Sequence, residues 1–234
     1  MRSDTEQRAT HYDRLDAFVD AAFAFAVSLL VIAGNAPPAN LQDLARALGR
    51  APAFAASFAL IALFWAGHRD FSRLARDRDW LTSLLSLTIV FVVLVYVYPL
   101  RLLTESAFFW MSGGRLPGGG LLKSFEDLRQ LYTVYDAGFT ILALLYAGLY
   151  ARALKLNGAA GATEAALRDA RDWRDIWGIV AGSGLVSLAI SVFGPIEQAP
   201  WLPGMIYGLI PVGIWTRAAL VGRARKPVLA EAAE

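Results

Sequence analysis

A carboxylate close to the start of the first long apolar stretch is the strongest constraint on this chain. Residues 21–33 carry no charge, but these thirteen residues are too few to cross a hydrocarbon core. A spanning helix needs about 20 residues at 1.5 Å rise each. The helix must therefore begin near Leu15, which places Asp20 at membrane depth. Because a carboxylate there is costly unless it faces protein or water, Asp20 is a candidate functional residue.

The composition is that of a membrane protein. Hydrophobic residues make up 56% of the chain and the mean hydropathy is +0.45. Charged residues make up 18%, below the roughly 25% that is usual in soluble domains. Without cysteine the chain has neither disulfides nor thiolate metal ligands. The polar first dozen residues and the lack of a small-x-small cleavage site argue against a signal peptide, so the first helix is expected to be retained.

Six apolar segments are long enough to span a bilayer, which predicts an all-α, polytopic membrane protein with six transmembrane helices. The predicted spans are residues 15–33, 51–71, 80–103, 131–154, 176–193 and 205–220. Residues 34–38 (Gly-Asn-Ala-Pro-Pro) are expected to end the first span, and residues 41–50 to add an amphipathic extension before Pro52. Prolines 52, 99 and 211 are expected to bend their spans. Residues 163–175, with alternating charges, are expected to form a solvated helix leading into the fifth span.

The distribution of basic residues predicts the orientation. If the amino terminus is cytoplasmic, 16 of the 22 lysines and arginines lie on that side. The positive-inside rule then places both termini in the cytoplasm, which agrees with an even number of spans. We expect a cytoplasmic segment at 1–14, a six-helix transmembrane domain at 15–222 and a cytoplasmic tail at 223–234. Arg101 and Asp136, near the outer ends of the third and fourth spans, either pair or extend separately to the interface.

Enzymatic and nucleic-acid functions find no support in the sequence. It contains no glycine-rich phosphate loop, no H-E-x-x-H zinc motif and no G-x-S-x-G nucleophile elbow. The two histidines are far apart, so neither a metal site nor a cofactor is expected. The basic residues are dispersed at span ends instead of clustering on one face, so nucleic acid is not an expected partner.

The first two spans resemble a known family. Arg14-x-x-x-Phe18-Val19-Asp20, followed by an alanine-rich apolar stretch, resembles the R-x-x-x-F-S-D motif of the transmembrane protein 175 family of potassium channels. The end of the second span, with Trp65 and His68 before a phenylalanine, is similar to the pattern that members carry there. Two positions depart from the family: valine replaces the motif serine, and an aromatic residue stands at position 25, where aliphatic residues are usual.

The resemblance implies a bacterial-type channel of six spans per subunit in the bacterial inner membrane. It implies a homotetramer in the lipid bilayer that passes potassium, with other monovalent cations as an alternative cargo, and whose first helices line the pore. Family members lack a T-V-G-Y-G filter, as this chain does, and use bulky apolar side chains as the constriction. The first of these is five positions after the motif aspartate, which gives Phe25, followed by Leu29 and Ile32. With Phe18, these residues are spaced by seven, four and three, so they share one helix face.

Other interpretations of these residues and of the chain stay open. Phe25, Leu29 and Ile32 fit lipid contact or ordinary packing as well as a pore, and Asp20 fits a structural pairing with Arg14, His68 or Trp65. His68 is either a pH-sensitive gate element or a hydrogen-bonded structural histidine, and Trp65 is expected to pack. Asp16 shares a face with Asp20 and calls for a basic or donor partner. The alternative functions are a non-conducting membrane scaffold and a secondary transporter, for which the middles of the spans offer few polar groups.

Overall fold

The structure is a computed structural model that describes residues 4–32, 38–75, 77–120 and 122–231, with side chains described from residue 12 to residue 221. The end of the first predicted span at residue 33, and most of the breaker cluster after it, lie outside the described residues. In the described part of the chain all regular structure is helical. The helices are α1 (Asp4–Ile32), α2 (Leu41–Gly49), α3 (Ala51–Leu74), α4 (Trp80–Met111), α5 (Phe125–Ala159), α6 (Glu164–Phe193), α7 (Leu202–Ile206) and α8 (Ile210–Glu231), with a 3₁₀ turn at Tyr207–Leu209.

Six helical segments of the described chain are long and apolar enough to cross a membrane, which confirms the predicted six-span, all-helical fold. The helices extend beyond the predicted spans. α4 continues eight residues past the predicted end, α5 begins six residues earlier, and α6 includes the charged segment after Thr163. Thr163 caps α6 by accepting the backbone N–H of Ala166, so the charged segment and the span form one helix.

Proline does not bend the second span in the predicted way. α2 ends at Gly49 and α3 begins at Ala51, so Arg50 alone separates two helices. Pro52 lies in the first turn of α3, where its missing N–H leaves no helical hydrogen bond unmade. The proline therefore begins α3 and does not kink it, and the predicted amphipathic extension is the separate helix α2.

The last span is interrupted. α7 passes into the 3₁₀ turn at Tyr207–Leu209, and α8 starts at Ile210 and continues without a break past residue 222 to Glu231. Pro211 again lies at the start of a helix, so the interruption precedes the predicted bend. The hydroxyl of Ser187 in α6 donates to the carbonyl of Pro203 (3.0 Å), which ties the interrupted segment to its neighbour.

Asp136 and Arg101 do not pair with each other. Arg101 contacts Glu105 one turn later at 2.7 Å, and its guanidinium also donates to the carbonyl of Leu30 at 3.1 Å. Asp136 is fully buried and accepts from the hydroxyls of Ser191 (2.6 Å) and Tyr207 (2.5 Å). Asp136 is therefore hydrogen-bonded inside the bundle. Neither predicted alternative, pairing with Arg101 or extending to the interface, is correct for it.

The core of the protomer is aromatic and lies between α3, α4, α5 and α6. Phe64 stacks on Tyr146 and Trp177, with ring centroids 5.9 and 5.8 Å apart. The hydroxyl of Tyr146 donates to the carbonyl of Phe64 (2.6 Å). Gly67 lies against this stack, because a Cβ atom there would come within 2.6 Å of Trp177. α3 is thereby fixed on α5 and α6, and α1 packs against α3 and α4, where its own buried side chains join the same core.

Candidate ion pathway along the first helix

One face of α1 is attached to the rest of the protomer. Val19, Phe23, Ala26 and Leu30 are buried, and their spacing of four, three and four residues marks one side of a helix. They belong to the hydrophobic core shared with α3 and α4. This face fixes the rotation of α1 about its own axis, and so determines what the opposite side presents.

The other side of α1 carries the bulky side chains that the resemblance assigns to the constriction. Phe18, Phe25 and Ile32 are 54, 55 and 68% exposed in the protomer. Leu29 is half-buried and packs partly against the core, so it lies at the border of the exposed face. The structure therefore places all four on or beside one apolar surface that the protomer does not cover.

Asp20 and Trp65 lie together at the same end of the bundle. The indole N–H of Trp65 donates to an oxygen of Asp20 at 2.8 Å, and the guanidinium of Arg69 lies over the indole ring at 5.1 Å. Trp65 thus does more than pack: it satisfies the carboxylate from the neighbouring helix. Arg14 is exposed on α1 and makes no contact with Asp20 among the described residues.

The charged partner of Asp16 is Arg78, which the sequence did not single out. Two guanidinium nitrogens of Arg78 bind the two oxygens of Asp16 at 2.7 and 3.0 Å, and Ser72 donates to the same carboxylate at 3.0 Å. The Arg78 side chain is 5% exposed and lies over the rings of Tyr12 and Phe71. A bidentate pair of this kind fixes both distance and orientation between α1 and the connection after α3.

His68 is a structural residue in this arrangement. It is buried, and its Nε2 lies 3.0 Å from the hydroxyl of Ser86 in α4. Its ring is tilted against Phe71 at 5.9 Å. This geometry favours the hydrogen-bonded structural histidine over the gate element, because the ring faces α4 and not the exposed side of α1.

The connection between α3 and α4 links α1 to α5. Next to Arg78, Asp79 caps α4 by accepting from Thr82 and forms an ion pair with Arg152 of α5. The hydrogen bond from Arg152 is the main cause that lowers the pKa of Asp79 from its ordinary 3.8 to about 2; those from Thr82 act in the same direction, and burial opposes them. Arg78 therefore attaches α1 to this connection, and the adjacent Asp79 attaches α5 to it.

Sequence reasoning missed Arg78, Ser72 and Ser86 for different reasons. The like-charged pair Asp16 and Asp20 signalled that a cation was needed, and Arg78 follows the second span on the same side as Asp16. It was one of several arginines there, so the sequence left the choice open. The two serines gave no signal. Within the described residues no three His, Asp or Glu side chains gather closely enough to hold a metal ion.

Comparisons with known proteins agree with this architecture. Residues 14–99 match the family model of the endosomal/lysosomal potassium channel TMEM175. A protein of Marivirga tractuosa described as a potassium channel is 30% identical over 161 residues, which cover 64% of this chain. The alignment spans 62% of that relative, less than two thirds of its length.

Two solved structures share the fold. The potassium channel MtTMEM175, crystallised as a variant in complex with a nanobody–MBP fusion protein, superposes with a TM-score of 0.76 at 26% identity. That match covers 90% of this chain and 93% of the other. A lysosomal potassium-selective channel TMEM175 homologue from Chamaesiphon minutus has a TM-score of 0.57 at 21% identity over 88% of this chain and 98% of its own, which bears on the fold alone.

The fold and the six apolar helices define a multi-pass membrane protein built on the TMEM175 architecture. The motif on α1 lies inside the matched region, so residues 14–99 are similar to the TMEM175 potassium channels, and the fold of nine tenths of the chain is similar to that of MtTMEM175.

Proposed function

We propose that this protein is a potassium-permeable cation channel, formed by four copies whose α1 helices surround the pore. The observation that carries the proposal is the uncovered apolar face of α1, on which Phe25 and Ile32 are more than half exposed while the opposite face is fixed in the protomer core. The potassium-channel descriptions of the relatives support the choice of ion.

Small side chains beside the bulky ones favour assembly through α1. Ala17, Ala21, Ala24 and Ser28 are exposed and are spaced by four, three and four residues, so they form a second stripe next to that of Phe25. Small residues let helix backbones approach closely within a membrane, where packing and not the hydrophobic effect drives association. Neighbouring α1 helices meeting along this stripe would direct the bulky stripe of each copy towards a common axis.

The chemistry of such a pore follows from its lining. Rings of Phe25, Leu29 and Ile32 offer no ligand to an ion, so they control conduction by width and by whether water fills the constriction. The chain contains no T-V-G-Y-G segment that could supply a filter of backbone carbonyls. The carboxylates near the other end of α1 are engaged by Trp65 and Arg78, so they orient α1 and leave the ring as the barrier.

Disulfide cross-linking tests the position of α1. In this cysteine-free chain, Leu29→Cys and Ile32→Cys are expected to form intersubunit disulfides under mild oxidation. Leu185→Cys is the matched control, since Leu185 is 51% exposed but lies on α6 and not on α1. Equal yields at positions 32 and 185 would contradict an axial position of α1.

Flux measurements test conduction. Proteoliposomes carrying the purified protein are expected to release potassium down its gradient, at a rate proportional to protein density and above that of protein-free vesicles. A protein that cross-links as expected but passes no potassium in this assay would be a non-conducting scaffold, and the channel proposal would be wrong.

A further inference from the structure

A second apolar space lies away from α1. A crevice of about 690 Å³ opens between the end of α4, the start of α5 and α7, and Trp110, Leu128, Trp201 and Met205 are among its lining residues. Its size and apolar walls are those of a site for a small or chain-like ligand. We infer that this crevice binds an acyl chain of an anionic membrane phospholipid, with the headgroup phosphate at Lys123.

The crevice faces the membrane and not the proposed pore. Arg101 and Glu105 lie on the side of α4 that contacts the end of α1. Leu103 and Ala107 line the crevice. At about 100° per residue these two pairs lie on opposite sides of the helix. The space is thus separated from α1 by the full width of α4, and lipid has access to it.

Two hydroxyl groups give the crevice a polar recognition element. Ser106 and Tyr132 line it and are only 4 and 8% exposed, yet neither side chain has a hydrogen-bond partner among the described residues. The Tyr132 hydroxyl points to α7, since a Cβ atom at Gly204 would lie 3.3 Å from it. Both hydroxyl oxygens are open to the crevice, where a ligand can reach them. The ester carbonyls of a phospholipid are acceptors for these hydroxyl groups.

The rim of the crevice lies at the boundary of the membrane. Trp110 and Trp201 are 68 and 57% exposed there, as expected of aromatic side chains at the boundary between lipid and water. Lys123 precedes the first turn of α5, and Tyr132 lies about 10 Å deeper along the helix. From outside to inside the crevice therefore presents a cation, then apolar walls, and then the two hydroxyl groups near its inner end.

Lys123 is the group that selects an anionic headgroup. Its ammonium has no ion pair among the described residues, although two carboxylates are close in sequence. Asp127 accepts the backbone N–H groups of Lys123 and Ser124 at 2.8 and 3.0 Å, and Glu126 pairs with Arg129 at 3.6 Å. Neither carboxylate forms a close ion pair with the exposed ammonium, which attracts Asp127 only at longer range and is available to a phosphate.

Native mass spectrometry of the purified protein in detergent tests the inference with two probes of identical chains, palmitoyl-oleoyl phosphatidylglycerol and palmitoyl-oleoyl phosphatidylcholine. Wild type is expected to retain both lipids and to prefer phosphatidylglycerol by about fivefold, the preference that one lysine near a headgroup supplies. Lys123→Gln should abolish that preference. Arg115→Gln, an exposed charge in the same connection that does not line the crevice, should keep it.

Blocking the crevice with a large side chain distinguishes lipid bound at this site from lipid bound elsewhere on the protein. Ala107→Trp should remove retention of both lipids, while Ala189→Trp, at an exposed position of α6, should leave retention unchanged. Equal retention in the two tryptophan variants would show that the bound lipid lies elsewhere. A changed number of subunits in Ala107→Trp, with unchanged lipid per subunit, would show that another protein copy covers the crevice. Either result overturns the inference and leaves the proposed channel function untouched.

Discussion

Some side chains of α1 attach the helix to the protomer core, and others form its exposed apolar face. Phe25 is held in place from behind, because Phe23 and Ala26 are buried beside it while its own ring is more than half exposed. The position of Phe25 five residues after Asp20 came from the family resemblance, and its exposure agrees with that expectation without testing it. Arg78 could not be chosen from the sequence, since only the folded connection shows which arginine reaches Asp16.

Phe25→Ala is expected to raise cation flux and to reduce discrimination between potassium and sodium. Removing the ring widens the constriction and lets water enter, and no carbonyl filter restores selectivity. Tracer flux of both ions in proteoliposomes at matched protein density measures the effect. Phe193→Ala serves as the control, because Phe193 is also exposed but lies at the end of α6. The same flux and selectivity in wild type and Phe25→Ala would place the narrowest ring elsewhere.

Asp16→Ala is expected to destabilise the protein by about 3 kcal/mol, because it leaves the guanidinium of Arg78 buried without its carboxylate. Thermal unfolding in detergent measures the change. Asp13→Ala, an exposed aspartate less than one turn earlier on the same helix, should have little effect. Equal stability of Asp16→Ala and wild type would mean that Arg78 gains other partners or water.

At the scale of helices, apolar runs predicted where spans lie but not where helices end. The runs contain no information on the end of α4 or the start of α5, because α4 continues past the polar residues 104–106 and α5 begins in polar sequence with its own cap. Ser124 and Asp127 form a capping box that starts α5 well before its apolar part. Two of the three prolines misled in the same way: Pro52 and Pro211 stand in first turns, where proline is tolerated, whereas Pro99 lies inside α4 as expected. A sequence pattern alone does not distinguish a first turn from a helix interior.

Asp79 makes the α3–α4 connection sensitive to acid. Its pKa is about 2 in the folded protein, below the ordinary 3.8, so its ion pair with Arg152 is fully present above about pH 4. The stabilisation is lost as the pH falls from there through 2. Asp79→Asn keeps an N-cap for α4 but lacks this contribution, so its stability deficit relative to wild type should shrink between pH 6 and pH 2.

Thermal unfolding across that pH range measures the deficit. Arg152→Gln, which removes the partner from the same ion pair, should show the same change with pH. A deficit of Asp79→Asn that stays constant down to pH 2 would show that the ion pair with Arg152 contributes nothing.

At the scale of the whole molecule, the orientation of the protein in the membrane is the prediction that requires an experiment. With both termini cytoplasmic, the connection between α4 and α5 faces outward and the one between α5 and α6 faces inward. Arg115→Cys should react with a membrane-impermeant maleimide in intact cells, and Ala160→Cys should react only after lysis. Because the chain has no cysteine, each variant carries a single reactive thiol at the position being tested. The reverse pattern would invert the topology.

α5 and α6 are much longer than a bilayer is thick. Their 35 and 30 residues extend for about 52 and 45 Å, against a hydrocarbon core of about 30 Å. Near the turn that joins them, Asn157 donates to the carbonyl of Leu74, and Arg217 of α8 bridges Asp172 and Asp175 of α6. α5 and α6 therefore form a rigid extension beyond the membrane. A helical fusion partner inserted at Gly161 would be held rigidly and would give this small membrane protein the marker that electron microscopy needs.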